Sequence, residues 1–187
     1  MNIIKTNIPD LLIIEPDVFN DERGYFFESY NKKKYTDAGI NIDFVQDNQS
    51  KSSYGVIRGL HYQLAPYSQT KLVSVIQGEV FDVAVDIRKN SPTFGKWFGI
   101  VLSGENKKQF FIPKGFAHGF SVLSDIAVFS YKCDNFYNKE SERGIMYNDE
   151  QINIDWKIKS ENEIISLKDK INPTFDKAEM NFIYGKI

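Results

Sequence analysis

Two histidines are the only imidazoles in this chain of 187 residues, and each lies in a run otherwise suited to a strand. His61 stands in "RGLHYQ" (Arg58–Gln63) and His118 in "FAHGF" (Phe116–Phe120). Such a histidine can be a hydrogen-bonded core group, a metal ligand or a general base. A catalytic metal site usually takes three protein ligands, often two or three of them histidine. Here the two lie far apart, with no His-x-His pair and no compact carboxylate cluster beside either. Cys133, the one cysteine, follows Tyr131 and Lys132 at a strand end and reads as a small buried hydrophobe rather than a nucleophile. No G-x-S-x-G elbow and no glycine-rich phosphate loop occurs. Acid–base chemistry remains, and it needs a carboxylate to orient the imidazole and a second group to exchange a proton. For either histidine taken alone, a hydrogen-bonded structural role is the favoured reading.

These residues must be held by strands. Apolar residues make up 42% of the chain and charged residues 26%, as in ordinary globular proteins. Aromatics reach 14%, which favours strands. A net charge of −2 offers no electrostatic footprint for nucleic acid. The single cysteine suits a reducing compartment, the first residues carry no signal-peptide pattern, and no apolar run is long enough for a membrane span. A cytoplasmic protein is the expectation.

Strand-like runs cover Ile57–Gln63, Lys71–Ile76, Glu79–Ile87, Lys96–Leu102, Phe110–Ile112, Phe116–Leu123 and Ala127–Cys133, separated by turn residues. Many short strands at even spacing predict an all-β antiparallel sandwich or barrel. Helix is expected over Asn31–Ala38, ended by Gly39, with one turn near Asn138–Glu142. "KLVSVIQGEVFDVAVDIR" reads as a hairpin about Gln77–Gly78. Alternation then places Lys71, Val73 and Val75 on one face with Val80, Asp82, Ala84 and Asp86, and a more apolar set on the other. Lys71 and Asp82 would form a surface ion pair or line a cavity. Alternation also sets Arg58 and His61 on opposite faces; a bulge at Gly59 would bring them to one.

Several long motifs, in order, resemble the dTDP-4-dehydrorhamnose 3,5-epimerase family. They are "DERGYFFESY" (Asp21–Tyr30), "FVQDNQSKS" (Phe44–Ser52), "GVIRGLHYQ" (Gly55–Gln63), "KLVSVIQGEVFDVAVDIRKNSPTFGKW" (Lys71–Trp97), "IPKGFAHGF" (Ile112–Phe120) and "SLKD" (Ser166–Asp169). The resemblance implies a cupin-type jelly roll over residues 1–187, with a tail (171–187) packing on it. It implies a homodimer, a dTDP-4-keto-6-deoxyhexose substrate and no metal or nicotinamide. Carried over residue by residue, it makes His61 the base, Asp169 its orienting carboxylate, Tyr131 the proton donor on the far face, and Lys71 the charge near the C4 oxygen. Asp82 would hold Lys71. It implies substrate contacts from Gln46, Asp47, Asn48, Arg58, His118, Tyr137, Glu142 and Lys168. Arg23, Phe26 and Glu28 would reach the nucleotide across the dimer interface. An epimerase acting at one centre only, a 3,4-ketoisomerase and a non-catalytic carbohydrate-binding jelly roll are the alternatives.

Overall fold

The computed structural model describes residues 1–186; Ile187, the end of the expected tail, lies outside the described residues. Fourteen strands are described: β1 (Asn2–Lys5), β2 (Leu12–Glu15), β3 (Val18–Asp21), β4 (Gly24–Phe27), β5 (Gln46–Ser53), β6 (Val56–Gln63), β7 (Lys71–Gln77), β8 (Glu79–Asp86), β9 (Trp97–Ser103), β10 (Gln109–Ile112), β11 (Phe116–Val122), β12 (Ile126–Cys133), β13 (Glu142–Gly144) and β14 (Ile164–Ile165). The first sheet runs β1-β2-β10-β7-β12-β5, the second β13-β6-β11-β8-β9, and β3 pairs with β4 as a separate ribbon. Pairing is antiparallel throughout except where β14 joins β6 in parallel. The two large sheets face one another as the layers of a jelly roll, the predicted class. Among the described residues no helix is long and apolar enough to cross a membrane.

The expected helix forms as α1 (Lys32–Asp37), where the Asn31 side chain accepts a bond from the Lys34 N–H. A 3-10 turn at Lys139–Ser141 is likewise capped by Asn138. The strands before residue 57 had no counterpart in the sequence reading. β5, "QDNQSKSS", has no apolar residue to mark it; its even-numbered side chains nonetheless turn inward and its odd ones outward.

The predicted hairpin about Gln77–Gly78 does not form. β7 pairs with β10 and β12, whereas β8 pairs with β11 and β9, so the turn carries the chain from one sheet to the other. Gly78 (φ +78°) is pressed against the turn before β12, where an added Cβ would lie 2.0 Å from the Ile126 carbonyl oxygen. The grouping of faces survives the changed partners. Val73, Val75, Val80 and Ala84 meet in the core between the sheets, joined by Phe110, Phe120 and Phe129. The opposite faces are covered separately. Leu72 packs under α1 with Tyr35 and Ile40, and Phe81, Val83, Val85 and Ile87 pack under Trp156, Phe175, Met180 and Phe182 of the C-terminal chain.

Candidate active site

At Gly59 (φ +125°) the pairing of β6 with β11 slips by one residue: His61 opposes His118, but Arg58 opposes Phe120. Gly59 and Leu60 of β6 thus lie opposite the single Gly119 of β11, a bulge. Alternation is reset there, so Arg58 and His61 open onto one cavity, as Gly59 suggested. The cavity, about 260 Å³, lies between the sheets. β6 and β11 contribute Arg58, His61, His118 and Phe120, while β5, β7 and β12 contribute Asn48, Lys71, Phe129 and Tyr131.

The two histidines are neighbours in space and differ in environment. His61 Nε2 lies 2.6 Å from Asp169 Oδ1, and its side chain is 32% exposed. Asp169 sits on a 3-10 turn after β14, held by a bond from its own N–H to Ser166 Oγ (3.0 Å) and by the Gly59 N–H donating to Oδ2 (3.4 Å). Burial, the largest influence on Asp169, opposes ionisation, but the bond and charge of His61, with Gly59 and Ser166, hold its carboxyl below the usual range. His118 is only 7% exposed, and its Nε2 lies 3.0 Å from Asp82 Oδ1. Burial pushes His118 down and Asp82 up, so this inner pair disfavours charge. The accessible imidazole backed by an ionised carboxylate is therefore His61.

Asp82 bonds His118 and acts on Lys71 through its charge alone. Lys71 lies inside the cavity, not in a surface ion pair, and desolvation lowers its pKa. Its Nζ lies 5.7 Å from the centre of the Tyr131 ring. Tyr131 enters from the first sheet, opposite His61 on the second, and burial raises its hydroxyl pKa. An imidazole and a phenol thus face one space from opposite walls, with the Lys71 amine beside the phenol. That arrangement can remove a proton from one face of a carbon acid and return one to the other.

Arg58 Nε donates to Ser52 Oγ (3.1 Å), which aims the guanidinium from the cavity wall. Near the cavity, Glu142 (opposite Gln63 on β6) accepts from the Tyr137 hydroxyl at 2.9 Å and pairs with Lys168 at 2.6 Å. Burial would raise the Glu142 pKa, but Lys168, Tyr137 and the charge of His61 bring it below the usual range. Gln46 receives the Tyr137 backbone N–H (3.1 Å), and Asp47 pairs with Lys132 (2.9 Å) on the outward side of β5. Arg23, Phe26 and Glu28 do not join this group within the chain. Arg23 is 85% exposed and tied to Asp21, Phe26 is 67% exposed on β4, and Glu28 pairs with Lys34.

The cavity also contains residues that sequence reasoning missed: Gln49, Ser50, Phe120 and Phe129. Phe120 and Phe129 stack at 4.1 Å between ring centres. Reading β5 as a strand would have placed Ser50 and Ser52 beside Asn48. A larger cavity, about 340 Å³, lies under β4 against the other side of the first sheet. It shares Tyr131 with the site but contains neither histidine.

Comparison with known proteins identifies the family. The family described as dTDP-4-dehydrorhamnose 3,5-epimerase matches residues 5–177. A relative of that name from Shigella flexneri is 63% identical over 170 residues, covering 90% of this chain and 93% of its own. The crystal structure of dTDP-4-dehydrorhamnose 3,5-epimerase from Elizabethkingia anophelis NUHP1 superposes with a TM-score of 0.91 at 60% identity, covering 96% of this chain and 99% of that one. A dTDP-6-deoxy-D-glucose-3,5-epimerase from Legionella pneumophila Philadelphia 1, in complex with dTDP-4-keto-L-rhamnose, gives 0.90 at 56% identity, covering 94% and 93%. The chain belongs to the dTDP-4-dehydrorhamnose 3,5-epimerase family.

Proposed function

We propose that the protein inverts C3 and C5 of dTDP-4-dehydro-6-deoxy-D-glucose, giving dTDP-4-dehydro-L-rhamnose for deoxysugar synthesis. The carrying observation is His61, braced by Asp169, facing Tyr131 across one cavity. The C4 ketone acidifies the hydrogens on C3 and C5. His61 takes one of these protons, and the electron pair moves onto the C4 oxygen as an enolate. Lys71 stabilises that oxyanion electrostatically. Tyr131 then gives a proton to the same carbon from the opposite face, which inverts it; His61 releases its proton to solvent and Tyr131 takes one back before a second round serves the other carbon. Asp169 fixes the His61 tautomer and balances the imidazolium charge.

Arg58 suits the diphosphate, because a guanidinium fork matches phosphate oxygens. His118 and Asn48 contact the sugar; Gln46, Asp47, Tyr137, Glu142 and Lys168 serve the nucleotide end. Arg23, Phe26 and Glu28 act in trans, from the second subunit of a homodimer. Their exposure on and just after the β3–β4 ribbon supports this. We further infer that residues 1–187 work as one unit in the cytoplasm, in keeping with the free thiol of Cys133.

The test is proton-exchange NMR in D₂O with dTDP-4-keto-6-deoxyglucose and a coupled reductase. Deuterium at both C3 and C5 with net conversion is expected. Deuterium at one carbon alone would make this a single-centre epimerase, and migration of the ketone a ketoisomerase. No exchange, with dTDP failing to stabilise the fold, would leave a carbohydrate-binding jelly roll.

A further inference from the structure

The bulge that brings Arg58 and His61 onto one face has a second half on the neighbouring strand. A Cβ built on Gly59 would lie 2.6 Å from the Gly119 Cα and 2.9 Å from the His118 carbonyl oxygen. One built on Gly119 would lie 2.6 Å from the Arg58 carbonyl oxygen and 3.2 Å from the Gly59 Cα. The obstacles are backbone on both sides, which cannot rotate away as a side chain can. Gly59 needs to be glycine for its φ of +125° as well; Gly119 has no such backbone requirement, so only space demands it. Behind Gly119, on the side away from the core, the Trp156 ring would lie 3.1 Å from the added Cβ, and Ser121 Oγ donates to the Trp156 carbonyl oxygen at 2.6 Å. β11 therefore has no room to move outward.

We propose that Gly119 is a positioning residue for the reaction: its bare Cα lets the Gly59 bulge nest against β11, and that contact sets the relative aim of Arg58 and His61. The inference rests on His61 as base and Arg58 as phosphate ligand. A side chain at position 119 moves the two together, because Arg58 and His61 flank the same bulge.

The experiment compares Gly119→Ala with Gly99→Ala. Gly99 is on β9 of the same sheet, where an added Cβ would lie 2.2 Å from the Phe81 ring, remote from the cavity. Both changes strain the sheet, but only the first presses on the bulge. Per folded molecule, counted by near-UV circular dichroism, Gly119→Ala is expected to lower kcat about 100-fold, the scale of a misplacement near 1 Å. It should also weaken dTDP binding and shift the pH profile of kcat, as His61 moves against Asp169. Gly99→Ala should keep all three within about twofold of wild type, a change of only about 0.4 kcal/mol. A folded Gly119→Ala with wild-type kcat, affinity and pH profile would overturn the proposal, as would equal losses in Gly99→Ala. If Gly119→Ala does not fold, Trp156→Phe is the second variant: it trims the ring behind Gly119 but keeps the backbone contact. Near-wild-type turnover is then expected. A large loss would place the aim of the bulge in the indole and overturn the glycine assignment. Wild-type protein that exchanges no deuterium from the ketosugar would sink the function and this inference together, whereas a failure confined to Gly119 leaves the function standing.

Discussion

At the scale of single residues, the site separates two similar groups by environment. His61 and His118 face each other across adjacent strands, and each has a carboxylate on Nε2. In the outer pair His61 is part-exposed and its buried aspartate is held ionised; the inner pair is buried and burial opposes charge on both partners. The outer pair can therefore accept a proton from a substrate, and the inner one is suited to hydrogen bonding without titrating. His61→Ala is expected to abolish exchange at both C3 and C5 while dTDP still raises the melting temperature. Exchange surviving in that variant would move the base elsewhere. Tyr131→Phe keeps the base but removes the opposing donor. Deuterium wash-in should then outlast inversion, which falls by about 10²- to 10⁴-fold, the usual worth of a positioned acid. Unchanged inversion in NMR time courses would contradict the donor role.

At the scale of elements, His61 and Tyr131 lie within strands, Lys71 at the start of one and Asp169 on a 3-10 turn, and buried polar clamps join such elements. The largest clamp is away from the cavity. The Arg88 guanidinium makes two bonds to Asp86 (both 2.9 Å), one to Asp10 (2.6 Å) and one to the Pro9 carbonyl, between the rings of Phe116 and Tyr184. It ties the N-terminal chain, the end of β8, the start of β11 and the tail together. Burial pushes Asp86 up, yet Arg88, Ser91 and Thr93 outweigh it and hold its pKa below the usual value. A depressed carboxylate pKa contributes stability that is complete above the unfolded value, near 3.9, and is lost as pH falls through the folded one. Asp86→Asn should destabilise the neutral-pH protein by about 3 kcal/mol, because Arg88 loses its buried partner. It should also flatten the acid limb of stability against pH. Urea unfolding from pH 2 to pH 7 measures both, and an unaltered acid limb would show that Asp86 is not what titrates.

At the scale of the whole molecule, three groups assigned to the nucleotide do not reach the cavity of their own chain. Arg23, Phe26 and Glu28 lie on or just after the ribbon of β3 and β4, where Phe19 and Tyr25 are also exposed. A twofold dimer in which each ribbon completes the partner's site makes these exposures functional. The expected check is complementation. Arg23→Ala and His61→Ala variants, each weak alone, are mixed and allowed to exchange subunits. Random hybrids then carry one intact site in half the dimers, so activity should recover to about a quarter of wild type. No recovery, with sedimentation showing that hybrids form, would place Arg23 in the service of its own chain.

Much of this was legible from residue order. Strands β6 to β12 announced themselves by alternation and by the glycines, prolines and serines between them, because a half-buried strand must alternate, whereas the short β13 and β14 did not. The motifs carried the family, and Gly59 carried the bulge, since a left-handed backbone needs glycine. Long-range partnership was not legible. "KLVSVIQGEV" satisfies a two-residue hairpin locally, yet Gly78 turns the chain into the opposite sheet, a choice made by packing against the turn before β12. β5 was missed because a polar edge strand lacks the apolar alternation that marks the others. Lys71 and Asp82 share the inward face as alternation sets them, and each feels the other's charge, but only the pairing of β8 with β11 brings Asp82 onto His118. The residue types and their order thus settled the fold class, the family and the candidate groups, because these depend on local periodicity and motif. Which carboxylate serves which histidine, and how Gly119 seats the bulge, depended on chain segments far apart in sequence, whose meeting is set by the packing of two sheets.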